Sequence, residues 1–200
     1  ENVRTSVYGP SQGGPGNQIA RGPYIVSNNS VYLRRREELF SLLGDGVALI
    51  PSGEEKIKSF DTGYPFRQDS NFNYLTGFDE PESLLVLCPN NKEGRTTLFL
   101  RPKDKVAEMW EGRRLGLDKA KEALGVDLVF SIHDLDKKLP ELLQNHSKVF
   151  LDLFSNKPLV DKSLEHLRSL SGRKKSKIAS PQKMVNLPPI IGMMRLKLRR

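Results

Sequence analysis

Apolar residues recur along this chain at two spacings, and the alternation between them predicts the fold. SVYLRRREELFSLLGDG begins at Ser30, with Val31, Leu39, Leu42 and Leu43 placed for a helix. Ser30 reads as its cap, Gly44 as its stop, and the charged residues as its outer face. VALIP, ended by Pro51, reads as a short buried strand. NFNYLTGF alternates, with Phe72, Tyr74 and Thr76 on one side and Asn71, Asn73 and Leu75 on the other, which predicts a further strand. ESLLVLCP and RTTLFLRP are apolar on both faces, as strands covered on two sides are, and the polar, glycine-containing NKEG joins them. Residues 71–100 are thus expected at the centre of a sheet.

Two helical pieces, punctuated by Gly112 and Gly116, follow in KVAEMWEGRRLGLDKAKEALGVD. LVF is a short strand. SIHDLDKKLPELLQ has a Ser cap and a face of Ile132, Leu135, Leu139, Leu142 and Leu143, with Pro140 expected to kink or break it. KVFLDLF is a strand, and LVDKSLEHLRSLSG an amphipathic helix stopped by Gly172. Strands alternating with helices define an α/β class, a mixed sheet with helices packed on its faces. Residues 1–23, with five Gly and three Pro, cannot build a core. The expected organisation is a flexible arm over 1–27, one domain over 28–190, and the start of a linker over 191–200.

Charge changes this picture little. Nine of the 32 Lys and Arg, and none of the 24 acids, fall between 173 and 200, so the remaining 172 residues carry 23 basic and 24 acidic side chains. A basic tail on a near-neutral body, without the spacing of a nucleic-acid module, argues against nucleic acid as the main partner. No run of 18 apolar residues spans a membrane, and the first residues lack the apolar core of an intact secretory signal. Cys88 stands alone in LLVLCP and reads as a buried free thiol, which makes a reducing, cytoplasmic location the expectation.

Residue chemistry yields no catalytic set. His133, His146 and His166 have no second ligand at metal-binding spacing and read as solvated or capping residues. Asp79 and Glu80 precede Pro81, in a turn. Two groups stand out. YPFRQD places Tyr64, Phe66, Arg67, Gln68 and Asp69 together; Arg67 and Asp69 either pair with each other or face a partner. The only tryptophan, Trp110, has Glu111, Arg113 and Arg114 beside it, a setting that suits an interface or cleft better than a core.

These residues carry a family resemblance. YPFRQDSNFNYLTGFDEPESLLVL, then LFLRPKDKVAEMWEGRRLG, EALGVD, IHDLDKKLPELL and SPQKMVNLPPIIGMMRLK, resemble the amino-terminal domain of aminopeptidase P, of the creatinase/prolidase superfamily. The resemblance spans about Val31 to Lys197. It implies the N-terminal domain of an Xaa-Pro aminopeptidase, whose activity lies in a second domain of pita-bread fold. Two Mn²⁺ ions held there by two Asp, one His and two Glu activate a hydroxide against the bond before proline. None of those ligands maps onto this chain, so the chain alone is expected to be inactive. The resemblance also implies homo-oligomers when full length, a proline-containing peptide as substrate, and the chain's own catalytic domain or a neighbouring subunit as partner. Trp110 matches a residue thought to reach a neighbour's substrate cleft, with Arg113 beside it, and Asp61, Tyr64 and Arg67 match positions near the domain interface. The competing expectation is a free-standing, non-catalytic protein- or peptide-binding module.

Overall fold

The computed structural model describes residues 4–6, 24–26, 29–59, 62–171, 181 and 183–197. The elements in chain order are β1 (Arg4–Ser6), β2 (Tyr24–Val26), α1 (Ser30–Leu43), β3 (Val47–Pro51), β4 (Ile57–Ser59), β5 (Thr62–Gly63), α2 (Ser70–Thr76), β6 (Leu84–Leu87), β7 (Thr96–Leu100), α3 (Lys105–Glu111), α4 (Leu117–Leu124), β8 (Leu128–Ser131), α5 (Leu135–Leu143), β9 (Lys148–Leu151), α6 (Lys157–Ser171), β10 (Lys183–Asn186) and α7 (Pro188–Lys197). Six strands form one mixed sheet in the order β10-β9-β3-β6-β7-β8. β10, β9 and β3 run parallel to one another, β6 is antiparallel to both β3 and β7, and β8 is parallel to β7.

Strand parity divides the sheet into two cores. Ala48 pairs with Leu87, and Ile50 with Leu85. Their side chains, with Leu98, Leu100 and Phe150, face Leu39, Phe40, Leu43, Phe72, Leu75, Leu124, Ile191 and Met194 from α1, α2, α4 and α7. The intervening residues Val47, Leu49, Leu84, Val86, Phe99 and Val149 face Leu135, Leu139, Leu143, Val160 and Leu167 from α5 and α6. A period of two sends successive side chains to opposite faces, so strands apolar throughout require helices on both.

Several expectations change. NFNYLTGF is not a strand: it forms α2, because Asp69 Oδ1 accepts from the N–H groups of Asn71 and Phe72 (both 2.9 Å) and opens a helix there. Gly77 closes α2 at φ +64, with its N–H on Asn73 O (2.8 Å); a Cβ at this position would lie 2.4 Å from the Tyr32 ring. Ser30 is the first residue of α1 and Asn29 occupies the cap position. Pro140 does not break α5, since Leu135, Leu139 and Leu143, on both sides of it, are all buried against the sheet. His146 is buried, with Nδ1 3.0 Å from Asp45 O, where a solvated or capping residue was expected.

Within the arm, β1 pairs antiparallel with β2; residues 7–23, Asp61 and Gly172 lie outside the described residues. Of the stretch 191–200, expected to begin a linker, residues 191–197 belong to α7, whose Ile191 and Met194 are buried in the core; 198–200 lie outside the described residues. Cys88 is buried and free, and desolvation pushes its thiol up to about 12. No described helix is long and apolar enough to cross a membrane.

Candidate functional site

The α3 helix follows β7 and stands outside the core. None of its residues is buried. Asp104 caps it, its Oδ1 accepting from Val106 N (2.9 Å) and Ala107 N (3.2 Å), and those bonds hold the Asp104 carboxyl below the usual range. At the other end Glu111 Oε2 accepts from Arg114 Nη2 (2.7 Å) and Arg101 Nη1 (3.1 Å), while Arg114 Nη1 donates to Pro102 O (3.1 Å). The helix is therefore held by polar contacts at its two ends. Its apolar residues point away: Val106, Met109 and Trp110, spaced i, i+3 and i+4, are 65, 73 and 86% exposed. This leaves a stripe of three large apolar side chains exposed on a helix with no fully buried residue.

A second surface lies at the carboxyl ends of β3 and β9. These neighbours run parallel, yet the chain leaves β3 toward α2 on one face of the sheet and β9 toward α6 on the other. Connections that diverge from adjacent parallel strands leave a crevice, the usual ligand position in open α/β sheets. Here it is a groove of about 380 Å³ lined by Glu54, Lys56, Tyr64, Arg67, Phe154 and Asn156, among others. Asn156 shapes its floor, donating from Nδ2 to Ser52 O (3.2 Å). Tyr64 and Phe154 are exposed over it, as is Arg67.

Two buried polar residues join these surfaces. Gln68 Oε1 accepts from Gly53 N (2.6 Å) and Asp69 N (2.8 Å) beneath the groove, and Gln68 Nε2 donates to Phe78 O (3.1 Å) and Glu80 O (3.0 Å). The Glu80 side chain then reaches the other way: its Oε1 accepts from Leu115 N (2.7 Å), in the connector between α3 and α4. Desolvation raises the Glu80 carboxyl above its ordinary value; the Leu115 N–H and the guanidinium groups of Arg101 and Arg114 oppose that shift, and Glu108 adds to it.

Of the residues singled out in the sequence, Trp110 and Arg113 thus lie on the α3 side, Tyr64 and Arg67 at the groove, and Asp61 outside the described residues. The buried roles of Gln68 and Glu80 were not anticipated, nor was Arg36. Arg36 lies wholly inside, donating from Nη1 to Leu75 O (3.0 Å) and from Nη2 to Leu124 O (3.2 Å) and Gly125 O (2.6 Å). Its signal was present: 36, 39, 40 and 43 form one helical stripe. Glu80, ahead of Pro81, carried no such mark.

The sequence pattern of the aminopeptidase P N-terminal domain matches residues 32–150. The chain belongs to the aminopeptidase P N-terminal domain family. It is 36% identical over 170 residues to Xaa-Pro aminopeptidase of Escherichia coli, covering 82% of this chain and 38% of that protein. Against its counterpart in Haemophilus influenzae it is 40% identical over 117 residues, covering 58% and 27% respectively. Solved structures agree: aminopeptidase P from E. coli superposes with a TM-score of 0.79 at 33% identity over 84% of this chain, and the Pseudomonas aeruginosa aminopeptidase with 0.77 at 32% over 83%. This chain corresponds to 39% and 38% of those two chains. It spans well under half the length of these relatives. Among the described residues no three His, Cys, Asp or Glu side chains converge on a point where a metal ion could sit. The described residues do not fit a dinuclear centre.

Proposed function

We propose that this chain is the N-terminal portion of a metal-dependent Xaa-Pro aminopeptidase, a hydrolase that removes the residue preceding an N-terminal proline. In this reading hydrolysis belongs to a second domain outside these 200 residues, which holds two Mn²⁺ ions. The zinc-substituted E. coli aminopeptidase P solved with product is a metal-bound relative of that kind. The domain described here contributes surface: α3 presents Trp110 and Arg113 to the substrate cleft of a neighbouring subunit, and Asp61, Tyr64 and Arg67 face the chain's own catalytic domain. The full-length protein is then a cytoplasmic homo-oligomer acting on proline-containing peptides. One observation carries the reading: Trp110 is 86% exposed on a helix without a buried residue, in a domain of this family.

A large aromatic on a rigid helix costs little entropy to dock and excludes water where it lands. Trp110→Ala, placed in the polypeptide extended through its catalytic domain, is expected to lower kcat/KM for an Xaa-Pro peptide by about tenfold or more. Unchanged kinetics in an intact oligomer would contradict the proposed role.

A further inference from the structure

No residue of α3 is fully buried, and only Ala107 and Glu108 are half-buried, so packing holds the helix weakly. Its orientation rests on a few polar contacts at its ends. Asp104 and Glu111 are exposed, and contacts of that kind contribute little where water competes for the same groups. One contact differs. The bond from Leu115 N to Glu80 Oε1 lies inside the domain, where Glu80 is 4% exposed and Leu115 fully buried. A hydrogen bond shielded from water is worth more than its exposed counterparts.

Glu80 also occupies a costly position. Its Oε2 is buried and, among the described residues, has no hydrogen-bond partner. A carboxylate placed for stability alone would have both oxygens satisfied. The charged groups acting on it come from every element of the α3 region: Arg101 follows β7, Arg114 sits in the α3–α4 connector, and Glu108 is on α3 itself. Arg101 and Arg114 are the same two cations that grip Glu111 at the end of α3. Behind it, the Glu80 carbonyl is held by Gln68, which is itself fastened to Gly53 and Asp69.

We infer that Glu80 is the positioning residue that fixes α3, and with it Trp110, to the sheet domain. It binds the connector after α3, which also carries Arg114, directly through the Leu115 N–H. The importance of this for peptide hydrolysis rests on the function proposed above; the anchoring does not, and it is measurable in this chain with no peptidase assay.

Trp110 is the only tryptophan, so its fluorescence depolarisation reports α3 alone. In Glu80→Ala the amplitude of fast depolarisation is expected to rise about twofold, and amide exchange over residues 105–116 more than about tenfold, with exchange in β3 and β6 changed by less than about threefold. Glu80→Gln keeps an oxygen that can accept from Leu115 N and is expected to restore most of the rigidity. Unchanged Trp110 motion in Glu80→Ala, an equal loosening of β3 and β6, or no rescue by Gln would each overturn the inference. If Glu80→Ala does not fold, the unmodified chain decides. On acidification the Leu115 amide and Trp110 indole signals are expected to share a titration step that Glu80→Gln removes. A Leu115 step without a counterpart at Trp110 would refute the anchoring.

Discussion

Trp110 and Glu80 are opposites in what they contribute to stability. Trp110 makes almost no contact with the domain, so Trp110→Ala is expected to lower unfolding free energy by less than about 1 kcal/mol. A urea midpoint well below that of the unmodified chain would place the indole in a packed site. Glu80 pulls the other way. Its carboxyl is raised above 4.5 in the folded state, mainly by desolvation. Between 4.5 and the folded value the native protein therefore binds the proton more tightly than the unfolded chain does, and stability falls as pH rises through that window. The exposed Asp45, Asp104 and Asp136, all lowered, have the reverse slope, so the Glu80 contribution appears only by difference. Subtracting the pH profile of Glu80→Gln from that of the unmodified chain should leave a component that declines with rising pH. At neutral pH the Gln variant should be at least as stable. A difference that rises with pH would mean that Arg101 and Arg114 outweigh the burial.

At the scale of elements, α1 is tied to its neighbours by a cation. Arg36 donates to carbonyls at the carboxyl ends of α2 and α4, where the helix dipoles favour positive charge. Burial lowers its guanidinium to about 10, and it remains charged at neutral pH. Arg36→Met keeps the length of the stem and removes the donors, leaving the Leu75, Leu124 and Gly125 carbonyls without this partner. It is expected to cost more than about 3 kcal/mol, read from chemical denaturation. A loss under about 1 kcal/mol would mean that apolar packing alone holds the three helices. Most elements were legible in the pattern. The doubly apolar runs became β6 and β7, and the paired glycines ended α3 and began α4. The segment 71–78 misled because eight residues are too few to separate a period of 2 from one of 3.6. Its burial of Phe72, Leu75 and Thr76 follows the helical spacing, and the deciding signal was Asp69 as a cap. Within the candidate site, Trp110 was legible from its charged neighbours. Gln68 and Glu80 were not, because their partners at Gly53 and Leu115 are 15 and 35 residues away.

On the scale of the molecule, the sheet carries two cores, and its carboxyl-end groove and the α3 stripe are left for contacts. In the proposed function both surfaces bind and orient. Among the described residues the histidines do other work or stand apart: His146 is buried on Asp45 O, His166 bridges α6 to Asp136 at 2.9 Å, and His133 is exposed. In the proposed function this domain serves the reaction of an Xaa-Pro aminopeptidase by shaping its cleft. The central claim is that these residues position substrate and do not hydrolyse it. It is tested most directly by assaying an Xaa-Pro peptide with added Mn²⁺, using this chain alone and the same chain extended through its catalytic domain. The account predicts no turnover by the 200-residue chain and Mn²⁺-dependent release of the first residue by the extended form. Turnover that survives purification and scales with the concentration of the 200-residue chain would contradict it.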